Sequence, residues 1–303
     1  MLKFVSVALL AGLSCAGCRT SAVRAPDAAA PAHPAPATVV DAQPPGPPAN
    51  DNLNAVLWTQ TAIERDLLYR QAYRAAEAQL TRALGDPGWE ALEKGQRKQP
   101  ARGLRDAVIV DVDETVLDNA PYQARLVKLG TQYDRTTWAA WCREERASAI
   151  PGALEFARHA ARNGVTVFYL SNRAQDLGEA TLANLRKEGF PIEGEHVFLG
   201  LGAPVQGCEP RGSEKGCRRE LISRTHRVLM QVGDQIGDFV DIEANTRDGR
   251  RAALEPYLDW IGERWFILPN PTYGSWESAL FNNDRTLPIS GQRAAKHAAL
   301  RTD

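Results

Sequence analysis

Two pairs of aspartates directly follow apolar runs of the sequence. Asp111 and Asp113 come after AVIV, and Asp234 and Asp238 come after RVLMQVG. Carboxylates at such short spacing repel one another, so they either share protons or bind a cation. A site made only of oxygen ligands favours a hard divalent ion such as Mg²⁺. If the chain brings the two pairs together, they predict a Mg²⁺ site.

The first pair also has simpler interpretations. An isolated Asp-x-Asp is common in solvated turns and helix caps, and a calcium-binding loop begins with the same spacing. The calcium loop fails here, because counting from Asp111 places Val116 where glycine is needed and Tyr122 where glutamate is needed. We interpret the neighbouring Glu114 as a solvated charge and Asp118 as a helix cap.

Alternating strands and helices are predicted to position these aspartates. Helical stretches such as GALEFARHAARNG and DLGEATLANLRKEG separate short runs that are rich in β-branched residues. Continuous apolar strands separated by helices predict an α/β fold with a doubly wound parallel sheet, covered on both faces. The predicted strands span 107–113, 165–171, 196–200, 227–234 and 264–270.

The ends of these strands should form one polar edge. Ligands of doubly wound sheets bind beyond the carboxyl ends of the strands. The second predicted strand ends in Ser171, Asn172 and Arg173. We therefore expect these three residues to meet both aspartate pairs at the same edge of the sheet.

Helical spacing of apolar residues precedes the predicted sheet. A helix is indicated between Asp51 and Leu84, and a second one over 89–98. We expect helices over 51–103 to pack on a core over 104–283, within one domain over 51–303. The apolar residues expected to pack in this way are Leu53, Val56, Leu57, Ile63, Leu67, Leu68 and Tyr69.

Motifs in a fixed order give the sequence a family resemblance. DVDETVLDN, LSNR, the lysine of SEKGCRRE and VGDQIGDF resemble the four motifs of the haloacid dehalogenase superfamily of phosphohydrolases. One branch is closer: DETVLDNAPYQ, IPGALEFARHA, FYLSNR, VGDQIGDF and LPNPTYGSWE resemble the class C nonspecific acid phosphatases, bacterial lipoproteins that dephosphorylate nucleoside monophosphates and similar esters. The resemblance covers 104–283. It departs from the branch at Gln235-Ile236, where Asn or Glu followed by Leu is usual.

The resemblance implies a haloacid dehalogenase-like fold with a small helical cap, and a role for each carboxylate. Asp111 would attack phosphorus and form an aspartyl-phosphate. Asp113 would protonate the leaving alkoxide and later take a proton from water. The ligands of Mg²⁺ would be Asp111, the main-chain carbonyl of Asp113, Asp234 and Asp238.

Binding of the phosphoryl oxygens is assigned by the same resemblance to Ser171 and Lys215. Lys215 lies in an expanded loop, so a nearby arginine is an alternative source of positive charge. The further candidates are Asn172 and Arg173, which follow Ser171, and Arg218 and Arg219, which follow Lys215.

Aromatic residues are implied to recognise the rest of the substrate. In the resembling family, residues that match Trp138 and Tyr273 flank the nucleobase or another leaving group, and such stacking tolerates different bases. The alternative is that both are ordinary core aromatics. None of the five histidines lies at the predicted edge and no RHG sequence occurs, which argues against histidine acid phosphatase chemistry.

The N-terminal segment indicates export. MLKFVSVALLAGLSCAGC has a lysine before an apolar stretch that is too short to span a bilayer. Its end resembles a lipobox, which predicts a lipoprotein signal peptide over 1–18 with Cys18 as the lipid acceptor; Cys15 and an ordinary cleaved signal are the alternatives. A disordered Ala- and Pro-rich tether is predicted over 19–50. We expect a lipid anchor in the bacterial cell envelope, at the outer membrane because Arg19, and not aspartate, follows the cysteine.

Charge and cysteine content narrow the remaining possibilities. The chain has 36 basic and 37 acidic residues, so it lacks the excess positive charge that would favour binding to a nucleic acid polymer. The partner that the resemblance implies is a small phosphomonoester. In an oxidising compartment Cys208 and Cys217 can form a disulfide or remain thiols, and Cys142 is expected to be free and buried. The same motifs are compatible with a phosphotransferase, and a binding lipoprotein without turnover is a further alternative. The oligomeric state is not determined by the sequence.

Overall fold

The computed structural model describes residue 47, residues 49–284 and residues 286–302. The predicted signal peptide with Cys18, and the predicted tether up to residue 46, lie outside the described residues. The described residues from 49 onward belong to one compact unit. Within the described ranges, every helix is too short or too polar to cross a membrane.

Helices and short strands alternate along the described chain. Five 3₁₀ helices supplement them, at Gln175–Leu177, Glu195–Val197, Ile236–Asp238, Glu255–Trp260 and Ala279–Phe281. The main elements are α1 (Leu53–Thr61), α2 (Ile63–Gly85), β1 (Arg105–Val110), β2 (Leu117–Asp118), α3 (Ala120–Leu129), α4 (Arg135–Arg143), β3 (Ser148–Ala149), α5 (Ala153–Arg162), β4 (Thr166–Ala174), α6 (Gly178–Glu188), β5 (Phe198–Leu201), α7 (Gly216–Ser223), β6 (His226–Gly233), α8 (Arg247–Leu254), β7 (Trp265–Ile267), α9 (Ser275–Ser278) and α10 (Ile289–Ala298).

A five-stranded parallel sheet lies at the centre, in the order β5-β4-β1-β6-β7. β1 is the middle strand, and its last residue, Val110, pairs with Tyr169 of β4 and Val232 of β6. Val108, Val110 and Val232 are buried, as expected for a strand covered on both faces. The structure confirms the predicted parallel α/β sheet with flanking helices, and its five strands lie where the five apolar runs predicted them.

The N-terminal helix α2 packs on the core through one face. Tyr69, Tyr73, Ala76, Leu80 and Ala83 recur at helical spacing on this face and are buried. The expectation that all apolar residues of the segment pack on the core was wrong. Only Val56 of α1 and Tyr69 of α2 are buried among the residues predicted to pack. The others are exposed, because each helix offers only one face to the core: Leu53, Leu57, Ile63, Leu67 and Leu68.

The helix predicted over 89–98 is absent, and the described chain there is irregular. Its main chain bonds instead to the sheet: Ala91 N donates to Val228 O at 2.9 Å, and Ala91 O accepts from Trp265 Nε1 at 2.6 Å. Trp89 is buried and donates to Leu229 O at 2.7 Å. Gly95, with φ at 84°, adds a conformation that a helix does not contain. Tertiary contacts therefore override the helical spacing.

A small insertion separates β1 from β4. It contains α3 and α4 and the antiparallel pair β2–β3, in which Leu117 pairs with Ala149. Asp134 caps α4 by accepting from the main-chain N–H groups of Thr136 and Thr137. This insertion places helices beside the carboxyl end of β1, where the family resemblance implied a small helical cap.

Candidate active site

The carboxyl end of β1 delivers Asp111 into the interior of the molecule. Its main-chain N–H donates to Val232 O at 2.9 Å, which extends the pairing with β6 by one residue. The carboxylate is 7% exposed and accepts from Thr115 Oγ1 at 3.2 Å. Asp111 is therefore held at both its main chain and its side chain.

Lys215 reaches the same place across 104 positions of sequence. Its Nζ donates to Asp111 Oδ1 at 2.5 Å, to Asp238 Oδ1 at 2.7 Å and to Leu170 O at 2.7 Å. The side chain is 3% exposed, and burial opposes its charge while both aspartates favour it, so that the pKa of Lys215 is raised. The buried ammonium joins the two predicted acidic motifs.

Three carboxylates form a cluster around this lysine. Oxygen atoms of Asp111, Asp234 and Asp238 all lie within 4.8 Å of one another. Burial raises the pKa of Asp111 to about 7; the charge of Lys215 opposes this shift, and the charges of Asp238 and Asp113 add to it. Burial also raises the pKa of Asp234, and Asp238 and Asp111 contribute. One ammonium does not balance three carboxylates, so the cluster has the composition of a divalent-cation site.

Asp113 points to a different set of partners. Its Oδ1 accepts from Arg173 Nε and from Asn119 Nδ2, both at 2.9 Å, whereas Oδ2 accepts only a longer bond from Ser171 Oγ at 3.3 Å. The side chain is 16% exposed. The two oxygens of Asp113 are thus unequal: one is fixed by two donors and the other is comparatively free.

Ser171, Asn172 and Arg173 lie at the end of β4 and at this edge of the sheet, as predicted, but each has different contacts. Ser171 Oγ accepts from Arg173 N at 2.9 Å besides donating to Asp113. Asn172 is exposed, and its Oδ1 accepts from Arg218 Nη2 at 2.7 Å. Arg173 is only 1% exposed and is paired with Asp113. In this arrangement Arg173 orients the carboxylate of Asp113 and is almost completely shielded from solvent.

The two predicted aromatic residues lie near this edge, although they come from distant parts of the sequence. Trp138 of α4 is half-buried, lies against Tyr122 with ring centroids 5.1 Å apart, and has the Arg173 guanidinium 5.5 Å from its ring centroid. Tyr273, in the segment after β7, donates its hydroxyl hydrogen bond to Glu114 Oε2. Trp138 therefore contacts Arg173, which binds Asp113, and Tyr273 contacts Glu114, which follows Asp113 in the sequence.

The interpretation of Glu114 as a solvated charge was wrong. Glu114 is 2% exposed and accepts from Asn119 N at 2.8 Å as well as from Tyr273. Burial raises its pKa well above the usual value, and the charge of Asp113 adds to the shift. Asp118 lies one residue before the N-cap position of α3, which is Asn119, but its side chain accepts from the first helical N–H, that of Ala120, at 2.9 Å. It also pairs with Arg65 at 2.9 Å.

Two arginines of α7 support the site without entering the carboxylate cluster. Arg218 Nη1 donates to Ser171 O at 2.5 Å, and burial together with the charge of Arg219 lowers its pKa to about 10. Arg219 Nη1 donates to Asp238 O at 3.1 Å. Lys215, and neither arginine, lies between the carboxylates. A bond between Cys208 and Cys217 fixes the first turn of α7, and Cys142 is free and buried.

Several supporting residues were missed by sequence reasoning. Asn270 Nδ2 donates to Asp234 Oδ2 at 2.8 Å, and the hydroxyl of Tyr73 donates to Thr115 O at 2.7 Å. Asn119 joins Asp113 to Trp141, whose Nε1 donates to Asn119 Oδ1 at 2.7 Å. Asn119 and Asn270 lie within the motif strings that carry the resemblance, which is a signal that could have found them; Tyr73 gave none beyond its helical spacing.

Comparisons with known proteins agree with this arrangement. A family model described as HAD superfamily, subfamily IIIB (Acid phosphatase) matches residues 47–276. The class C acid phosphatase from Bacillus anthracis, solved also with tungstate bound, is 33% identical with a TM-score of 0.71, and the match covers 83% of this chain and 97% of that one.

Curated plant proteins are more distant. The Stem 28 kDa glycoprotein of Glycine max is 27% identical over 173 residues, which is 56% of this chain and 60% of the relative. Acid phosphatase 1 of Solanum lycopersicum is 26% identical over 170 residues, 56% of this chain and 59% of the relative. The chain thus spans about 60% of the length of these relatives. The family model covers most of the chain and includes every residue of the site, so the chain belongs to the acid phosphatase subfamily IIIB of the HAD superfamily.

Proposed function

We propose that this protein is a Mg²⁺-dependent acid phosphatase that hydrolyses small phosphomonoesters through an aspartyl-phosphate on Asp111. One observation carries the proposal: the Lys215 ammonium bridges Asp111 and Asp238 inside a cluster of three carboxylates. A nucleophile is useful only if a phosphate dianion can approach it. The buried positive charge, and a cation in the cluster, would make that approach possible.

The cluster fits a divalent cation. Asp111, Asp234 and Asp238, with the main-chain carbonyl of Asp113, would hold Mg²⁺, because all four offer hard oxygen ligands. Burial, together with the charges of the neighbouring aspartates, raises the pKa values of Asp111 and Asp234, which is the direction expected for carboxylates that lack a compensating cation. A bound Mg²⁺ would supply that compensation and polarise a phosphoryl oxygen.

The chain's own residues would carry the first step. A carboxylate oxygen of Asp111 attacks phosphorus as the bond from phosphorus to the ester oxygen breaks. Lys215 and Thr115 each donate to one oxygen of Asp111, so the carboxylate is oriented before the substrate arrives. Preorganised donors of this kind stabilise the developing charge without having to move during the reaction.

The unequal oxygens of Asp113 suit the role of a general acid and base. Arg173 and Asn119 fix Oδ1, which leaves Oδ2 to carry a proton to the leaving alkoxide. In the second step the same oxygen takes a proton from the water that attacks the phosphoryl group, releasing phosphate and restoring Asp111. Because Asp113 must start protonated, we expect an acidic pH optimum and a loss of rate above neutrality.

Nucleoside 5′-monophosphates are the proposed substrates. Trp138 and Tyr273 would stack on the leaving group, and a stacking surface accepts different bases because each has a π face. The bound tungstate of the Bacillus anthracis relative is an oxyanion like phosphate, which supports a phosphate-binding site but does not select the ester. We also propose a lipid anchor at Cys18 and an outer-membrane location, which mass spectrometry of the N-terminal peptide from membrane fractions would test.

The test compares hydrolysis of nucleoside monophosphates, sugar phosphates and p-nitrophenyl phosphate by the wild type and by Asp234→Asn. We expect activity that a chelator abolishes and Mg²⁺ restores, and a fall of at least about 100-fold in Asp234→Asn. Asp259→Asn makes the same change at an exposed position and should keep full activity. Hydrolysis that persists in the chelator would contradict the proposal, and phosphoryl transfer to an added nucleoside in preference to water would identify a phosphotransferase.

A further inference from the structure

Glu114, directly after the proposed acid Asp113, occupies an unfavourable environment. Its φ of 57° lies in the left-handed region, which residues with a Cβ rarely adopt. Its buried carboxyl group accepts from two neutral donors, the Asn119 main-chain N–H and the Tyr273 hydroxyl. A strained backbone and a buried carboxyl both cost free energy, and such residues concentrate at functional sites.

Tyr273 is held at both of its ends. Its main-chain oxygen accepts from Gln235 Nε2 at 3.3 Å, next to the metal-site residue Asp234. Its hydroxyl reaches Glu114, next to Asp113. The side chain of Tyr273 therefore spans the distance between the two acidic motifs, and its ring has little freedom to turn.

The two main-chain segments are already joined without Glu114's side chain. The Tyr69 hydroxyl of α2 lies 3.2 Å from Glu114 O and 2.9 Å from Pro269 O, which connects the turn after Asp113 to the segment after β7. The hydrogen bond between the Glu114 carboxyl group and the Tyr273 hydroxyl is therefore not needed to hold the two segments together. Its remaining effect is to fix the position of the Tyr273 ring.

We propose that Glu114 is a positioning residue that fixes the ring of Tyr273 beside the leaving group and so sets the selectivity for nucleoside esters over small alkyl esters. This inference rests on the proposed phosphatase function. An alkyl group offers no π face for the ring, so misplacing the ring should weaken recognition of a nucleoside far more than that of an ethyl group.

The experiment measures a selectivity ratio: kcat/KM for adenosine 5′-monophosphate divided by kcat/KM for ethyl phosphate. Tyr273→Phe keeps the ring and removes the hydroxyl, and we expect the ratio to fall about 10-fold, the effect of one lost hydrogen bond of ordinary strength. Glu114→Gly accepts the positive φ without strain and should lower the ratio to a similar extent. Glu114→Gln retains a hydrogen-bonding group and should restore most of it.

Two further variants complete the test. The double variant Tyr273→Phe/Glu114→Gly should fall no further than either single variant, since both remove the same contact. Tyr257→Phe removes a hydroxyl elsewhere in the molecule, one that accepts a hydrogen bond from Lys94 N at 3.0 Å, and should leave the ratio unchanged.

An unchanged ratio in both Tyr273→Phe and Glu114→Gly would overturn the inference, and so would additive effects in the double variant. A wild type that hydrolyses neither ester would instead refute the proposed function. In that case calorimetry gives the affinity for adenosine 5′-monophosphate divided by the affinity for inorganic phosphate. This ratio should change in the Tyr273 and Glu114 variants in the same way as the selectivity ratio.

Discussion

Two regions of the catalytic edge are built in different ways. The acidic centre consists of Asp111, Lys215, Asp234 and Asp238, and the leaving-group side consists of Trp138, Arg173, Tyr273 and Glu114. Asp111 and Asp234 directly follow the adjacent central strands β1 and β6, and Asp238 ends the short 3₁₀ helix that comes next. Lys215 directly precedes α7. The residues of the leaving-group side come from α4, the end of β4, the segment after β7 and the turn after Asp113.

This difference assigns phosphoryl transfer to the acidic centre and recognition of the ester group to the leaving-group side. Residues at the ends of paired strands share the rigidity of the sheet, which suits a nucleophile and a metal site that must keep their geometry. Trp138 and Tyr273, on an inserted helix and on a connecting segment, can be replaced or moved without disturbing the sheet. The acidic centre should therefore act alike on every phosphomonoester, and the leaving-group side should distinguish among them.

Asp113 lies between the two regions, and its removal should have the largest effect of the tests that follow. We expect Asp113→Asn to lower kcat/KM, which reports only the steps up to the aspartyl-phosphate, about 10²- to 10⁴-fold for ethyl phosphate, whose leaving alkoxide needs a proton. The loss should be far smaller for p-nitrophenyl phosphate, which has a good leaving group. Equal losses for both esters in steady-state assays would show that Asp113 does not act as the acid.

Lys215→Met isolates the acidic centre. The variant keeps an unbranched side chain but leaves Asp111 and Asp238 without their buried cation, so kcat should fall about 10²- to 10³-fold. The fall should be the same for adenosine 5′-monophosphate and ethyl phosphate. Lys98→Met, at an exposed position, is the control. A loss confined to the nucleotide would mean that the two regions are not separate.

Trp138→Ala isolates the leaving-group side. Loss of one stacking surface should lower kcat/KM for the nucleotide about 10-fold, with a much smaller change for ethyl phosphate. Trp58→Ala, in α1, removes an indole from a half-buried position elsewhere. Equal losses on both esters in Trp138→Ala would indicate that Trp138 serves the packing of α4 and not the substrate.

The pH dependence of stability should report on the acidic centre without any substrate. The pKa of Asp111 is raised from 3.8 to about 7, so between these values the folded protein holds a proton that the unfolded chain releases. The metal-free protein should therefore lose stability as pH rises from 4 to 7. Mg²⁺ requires the deprotonated carboxylates, and we expect it to raise Tm at pH 7.5 by about 5 °C, but less at pH 5.

Thermal unfolding in a chelator, with and without added Mg²⁺, checks this expectation. In Asp111→Asn both the pH dependence and the effect of Mg²⁺ should become weaker. A Tm that rises between pH 4 and pH 7 in the chelator, or a larger effect of Mg²⁺ at pH 5, would contradict the assignment of the cluster.

The acidic centre was easier to predict from the sequence than the leaving-group side. The sheet and the meeting of Asp111 with Asp234 and Asp238 were predictable because continuous apolar runs mark buried parallel strands and topology brings their ends together. Lys215 was assigned only by the family resemblance. Glu114 was misinterpreted because its partner Tyr273 is 159 positions away, and nothing local indicates that contact. The pairing of Arg173 with Asp113 across 60 positions was missed for the same reason.

The errors in the N-terminal segment have a related cause. Helical spacing predicted a helix over 89–98, but Ala91 and Trp89 bond to the main chain of the sheet instead. Local spacing also could not show that α2 offers only one face to the core, which leaves Leu67 and Leu68 exposed. Periodicity finds an amphipathic segment, but tertiary hydrogen bonds and packing decide how it is used.

The central claim is that Asp111 becomes phosphorylated during turnover. The direct measurement is to quench the enzyme in acid while it turns over a phosphomonoester, reduce the acyl phosphate with borohydride, and identify the modified residue by mass spectrometry. We predict homoserine at position 111 in the wild type and none in Asp111→Asn, which should also be inactive. Turnover without modification at Asp111, or an active Asp111→Asn, would contradict the account.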